Sequence, residues 1–163
     1  MSTWSEVNQV NCMPILLSLL DACFAGLVAA VCMTIFELPF WRRWGVAEWQ
    51  VNAVIVSVLT RRFTQRRVSS SMVVAMHLFH GAALGAVFRL LLLVVLGTTI
   101  LSSTVLVDAI VYSMLLWIVS PHLTRSLFEC SGGFQMTRKG LGVSFLSHNA
   151  YGIFLGLLTP AMF

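Results

Sequence analysis

An all-α membrane bundle of four spans is predicted from three observations. Charged residues make up only 10% of the chain and hydrophobic ones 58%, where a soluble domain carries about 25% charged residues. The apolar residues gather into four continuous runs, each long enough to cross a bilayer core of about 30 Å. Nine of the ten basic residues sort into two of the three connections between those runs. A mean hydropathy of +0.90 leaves too little polar side chain to cover a water-soluble fold, so soluble-enzyme readings fall away. The 163 residues form a single transmembrane domain.

The runs cover residues 15–38, 72–97, 101–119 and 141–158. Pro14 and Pro39 flank the first, and Pro121 and Pro160 follow the third and fourth. Proline is cheap at a helix end and costly inside one, so each is expected to mark a boundary. Between the first two runs, Val51, Val54, Ile55, Val58 and Leu59 recur at helical spacing, with Gln50, Asn52, Ser57 and Arg61 off that face. Residues 46–63 are therefore expected to form a cytoplasmic-side helix lying on the membrane surface. A helix docked on protein is the alternative.

Orientation follows from charge. Arg42, Arg43, Arg61, Arg62, Arg66 and Arg67 lie between the first two runs, and Arg125, Arg138 and Lys139 between the last two. The positive-inside rule then places both connections in the cytoplasm and both termini outside a cytoplasmic membrane. This sorting accounts for the net charge of +4, and no nucleic-acid partner is expected. No basic stretch precedes the first run, so it is expected to be retained as a helix.

His77, Gly81 and Gly85 spell H-x3-G-x3-G in the second run, and His148, Gly152 and Gly156 repeat it in the fourth. The first run carries Asp21-Ala22 with Gly26, and the third Asp108-Ala109 with Ser113. An acid helix followed by a histidine-glycine helix thus occurs twice. This predicts two parallel two-span repeats related by an axis along the membrane normal. Small residues at every fourth position let backbones approach, so Gly26, Gly81, Gly85, Gly152 and Gly156 are expected at helix contacts.

Counting along antiparallel helices puts Asp21, Arg89 and Asp108 in one outer layer. Either acid is the expected counter-charge for Arg89, because an isolated charge at this depth is expensive. His77, His80 and His148 fall toward the cytoplasmic side with Glu37 and His122. Each histidine is expected to bond a backbone carbonyl of a close neighbour. As a set, His77, His80 and His148 are also the candidate ligands for a transition metal. His77 and His148 could instead hold one haem, or the layer could relay protons. No H-E-x-x-H, Glu-x-x-His or C-x-x-C spacing strengthens the metal reading, and a metal or haem cofactor is not favoured.

Cys12, Cys23, Cys32 and Cys130 are spread over outside, span and cytoplasmic positions, so no disulfide framework is expected within the chain. No phosphate loop, nucleophile elbow or dinucleotide fingerprint occurs. Trp41, Trp44, Trp49 and Trp117 suit the aromatic belt.

At Glu37-Leu38-Pro39-Phe40-Trp41-Arg42-Arg43-Trp44-Gly45, followed by Glu48-Trp49 and the two H-x3-G-x3-G runs, the chain resembles a loose group of small four-span prokaryotic integral membrane proteins, archaeal ones among them, that have no characterised function. The resemblance implies a cytoplasmic membrane and the four-span plan, and it brings no catalytic residues. With almost no extramembrane mass and no catalytic motif, the expected function is a non-catalytic accessory subunit of a larger membrane complex. Its partners would be lipid and other integral membrane subunits. The rival expectations are a small oligomeric proton or cation transporter and a haem- or metal-binding electron-transfer protein, with a homo-oligomer as the alternative assembly.

Overall fold

The computed structural model describes residues 4–44, 52–53, 55–58, 69–96, 104–130 and 138–159. Four long helices carry most of them: α1 (Trp4–Trp44), α2 (Ser70–Leu96), α3 (Val105–Cys130) and α4 (Arg138–Leu158). Residues 52–53 and 55–58 are helical as well, and no strand occurs among the described residues. Three segments are long and apolar enough to cross a membrane: Ile15–Phe40, Ser70–Val95 and Arg138–Leu158. The apolar part of α3, Val105–Ser120, is shorter. Its 16 residues reach about 24 Å at 1.5 Å per residue. Residues 101–103, expected to lengthen it, lie outside the described residues.

Large apolar side chains face outward along every span, as a lipid solvent requires. Phe24 and Ile35 on α1, Phe79, Val94 and Val95 on α2 and Val107 on α3 are examples. Inside, α1 packs against α2 and α4, and α3 packs against α4. The core is built from small residues of α1 (Ala25, Ala29, Ala30), with Phe88 of α2, Tyr112 of α3, and Tyr151 and Leu155 of α4. Small side chains on α1 let the neighbouring backbones approach, and the aromatic rings fill the wider space beyond them. The Phe88 and Tyr112 rings meet at 5.2 Å.

Two sequence expectations are corrected. Pro14, Pro39 and Pro121 do not end helices: α1 runs through the first two and α3 through the third. A proline removes one backbone donor and frees one carbonyl a turn earlier. Close to the membrane surface, water and neighbouring groups can satisfy that carbonyl, so transmembrane helices tolerate proline. Pro160 lies outside the described residues.

The second correction concerns the connection between the first two spans. Of the expected 46–63 helix, only residues 52–53 and 55–58 are described, and there Asn52 and Val56 are buried. Asn52, expected on the polar side, faces protein because it is a hydrogen-bond partner of a buried histidine.

Candidate functional site

The site grows from the glycines. A methyl group added to Gly26 would lie 2.8 Å from Gly85 Cα, 3.0 Å from Gly85 N, and closer still to the Gly81 carbonyl oxygen. One added to Gly81 would run into Ala30 Cβ, and one on Gly85 into the Ala22 carbonyl oxygen. The atoms met are mostly backbone, so at these positions α1 and α2 approach closely through glycine and alanine, as expected for a small-residue stripe. The partner number falls from Ala30 to Ala22 as the glycine number rises from 81 to 85, so the two helices are antiparallel.

Extending that register by one turn each way gives the polar ends of the contact. Toward the N-terminal end of α2, His77 stands opposite Thr34, with Nε2 3.0 Å from Thr34 Oγ1. Toward the other end, Arg89 stands opposite Ser18, and its Nε donates to Ser18 Oγ at 2.5 Å. A ladder results: His77, Gly81, Gly85 and Arg89 on α2 against Thr34, Ala30, Gly26 with Ala22, and Ser18 on α1. Its centre is small and apolar, and each end is tied by a polar bond.

The tie at His77 has a fixed polarity. Thr34 Oγ1 donates its one proton to the Ala30 carbonyl at 2.8 Å, since a carbonyl can only accept. Thr34 must then accept from His77 Nε2–H. On the other ring nitrogen, Asn52 Nδ2 approaches Nδ1 at 3.0 Å as the donor. The chain therefore runs in one direction, from Asn52 to His77 to Thr34 to the Ala30 carbonyl. It assigns the proton of the neutral ring to Nε2. His77 and Asn52 are both buried, as is Glu37 on α1 three residues beyond Thr34.

The second hairpin has a small-residue contact of the same kind. A methyl on Gly152 would meet Ser113 and lie 2.8 Å from the Ala109 carbonyl oxygen; one on Gly156 would lie 2.8 Å from Leu106 Cα and 3.0 Å from Ala109 Cβ. In this register His148 stands opposite Trp117, which offers no hydroxyl. His148 Nδ1 accordingly turns to its own helix and donates to the Ser144 carbonyl at 2.9 Å. The Trp117 ring packs edge-on against Phe145 at 5.1 Å.

The three histidines are thus not brought together. His77 is buried between α1 and Asn52, His80 is exposed, and His148 is half-buried on α4. Among the described residues no three His, Cys, Asp or Glu side chains gather as a metal-binding group.

At the Arg89 end of the contact, the bond from Arg89 Nε to α1 goes to the Ser18 hydroxyl. Ser18 lies about one turn before Asp21 on α1, in line with the antiparallel register. Asp21 and Asp108 are half-buried. Asp108 Oδ2 is buried and has no hydrogen-bond partner among the described residues.

Two residues that sequence reasoning did not single out join the hairpins. Tyr151 of α4 donates to the Gly81 carbonyl at 2.8 Å, and Tyr112 of α3 donates to the Leu84 carbonyl at 2.9 Å. Both acceptors are helical carbonyls, each with a second lone pair to spare. These are the chain's two tyrosines. Their position inside spans, away from the interface where tyrosine usually sits, was the available signal. Chemically, the arrangement holds helices together; among the described residues no nucleophile, base and oxyanion donor converge in it.

No protein-family model matches the chain, and neither a curated protein nor a solved structure does.

Proposed function

We propose that the chain is a non-catalytic accessory subunit of a larger complex in a cytoplasmic membrane, with four spans, two hairpin repeats and both termini outside. The observation that carries this reading is the use made of polar groups at membrane depth. His77, Thr34, Ser18, Arg89, Tyr112 and Tyr151 each serve a tie between helices or to the docked residue Asn52. A transporter needs intramembrane polar groups that stay available to a solute; here they fasten a scaffold. Around that scaffold the spans stay largely uncovered, with 28% of the most apolar window buried in each of the first two. That leaves broad helix surface for lipid and neighbouring subunits.

The repeat is supported by contact equivalence. Gly85 meets Ala22 as Gly156 meets Ala109, and Gly81 meets Gly26 as Gly152 meets Ser113. The same offsets relate the sequence pairs Asp21-Ala22 to Asp108-Ala109 and His77 to His148. Arg42 and Arg43 at the end of α1 and Arg138 and Lys139 at the start of α4 are exposed, which suits a shared cytoplasmic side.

A second reading, a small proton or cation transporter, is favoured by the buried Asp108 oxygen. The test that separates the two is ion flux through the isolated chain in liposomes, with Asp108→Asn alongside. The accessory reading expects no flux above empty vesicles. Flux that the substitution abolishes would overturn it.

A further inference from the structure

We propose that the helical residues 52–53 and 55–58 act as a cytoplasmic strap whose seating reports whether the α1–α2 glycine crossing is closed. Asn52 and Val56 are buried, so the strap sits on protein. Its named polar anchor is the bond from Asn52 Nδ2 to His77 Nδ1. The opposite ring nitrogen is anchored on α1 through Thr34, which itself bonds the Ala30 carbonyl. Ala30 is also the residue whose Cβ fills the space beside Gly81, and the Gly81 carbonyl accepts from Tyr151 of α4. Strap, both helices of the first hairpin and α4 thus share one continuous set of contacts.

The coupling follows from geometry. A ring held at 3.0 Å on both nitrogens has no slack. If α1 moves away from α2 by about 1 Å, the Nε2–H bond stretches beyond hydrogen-bond length. A buried donor left in that state is costly, so the imidazole turns to seek another acceptor, and Nδ1 leaves Asn52. With one directed chain of donors, Asn52 and Thr34 cannot exchange roles on the ring. A spacing change between membrane helices, of the kind a neighbouring subunit would impose, is thereby converted into release of a segment on the cytoplasmic side. This inference stands apart from the accessory-subunit reading, since a transporter could carry the same device.

The experiment is amide hydrogen exchange by mass spectrometry on the full chain in lipid nanodiscs, followed at residues 52–58. Asn52→Ala removes the bond to His77 Nδ1 while leaving every residue of α1 and α2 unchanged, and exchange there is expected to accelerate at least tenfold; unchanged exchange would overturn the docking. Thr34→Val keeps the shape of α1 but removes the ring's acceptor, and Gly81→Ala forces the crossing open one turn from His77. Both are expected to accelerate strap exchange tenfold or more, although neither residue is bonded to the strap. Strap exchange that responds to Asn52→Ala but to neither of these would overturn the coupling. Thr34→Val carries the test should Gly81→Ala fail to fold.

Discussion

Replacing Gly26 by alanine and Gly142 by alanine adds the same methyl group to two helices of one protein, with opposite expected outcomes. At Gly26 the new carbon would sit 2.8 Å from Gly85 Cα and 3.0 Å from Gly85 N, where ordinary carbon contacts lie at about 3.5–4.0 Å. The obstacles are backbone atoms that cannot rotate aside, so α1 and α2 must part by several tenths of an ångström to 1 Å along the whole crossing. Overpacking of this kind costs about 1–3 kcal/mol. Alanine returns up to about 1 kcal/mol in helix propensity, leaving, with that gain in full, a net loss of up to about 2 kcal/mol, as much as a thirtyfold fall in the folding equilibrium. Gly142 is exposed and a methyl there meets nothing within 4 Å, so only the propensity gain remains, about 0.5–1 kcal/mol. Reversible unfolding in mixed detergent micelles, followed by circular dichroism, measures both. Equal shifts for the two variants, or a net stabilisation by Gly26→Ala, would refute the close crossing.

Three other outcomes follow from the ties around that crossing. Tyr151→Phe removes the bond to the Gly81 carbonyl while keeping the ring, and should cost about 0.6 kcal/mol and no more than about 1.7 in the same assay; a loss several times larger would mean that the hydroxyl does more than bridge hairpins. Ser18→Ala deprives Arg89 Nε of its acceptor and should cost about 1–3 kcal/mol, most of it recovered in the double variant with Arg89→Met; additive losses would show that the two side chains do not act as a pair. In ¹⁵N-labelled protein the His77 ring should show its proton on Nε2 and an unprotonated Nδ1 at neutral pH, and the reverse pattern would break the chain from Asn52 to Ala30.

Much of the scaffold was legible because lipid imposes simple rules. Apolar length and basic loops located three spans within a few residues, and the recurring glycines named contacts that the structure contains on both hairpins. What was missed was the polar partner of each special residue. The ladder is written in the sequence: Ser18, Ala22, Gly26, Ala30 and Thr34 recur at every fourth position, and so do His77, Gly81, Gly85 and Arg89. Aligning the two stripes antiparallel pairs Arg89 with Ser18 and His77 with Thr34. Looking for opposite charge directed attention to Asp21 and Asp108, although a hydroxyl in register can serve a buried guanidinium. Asn52 was harder to read, because its role depends on how the connection folds back, which no helical periodicity encodes. The prolines misled for a related reason: their cost depends on whether anything nearby can satisfy the freed carbonyl.

The most direct test of the accessory-subunit account is gentle detergent extraction from native membranes, with mass spectrometry of everything that travels with the chain and metal analysis and visible spectra on the same sample. The account predicts integral membrane partners in fixed stoichiometry and no metal or haem band belonging to this chain. A partner-free homo-oligomer would contradict it.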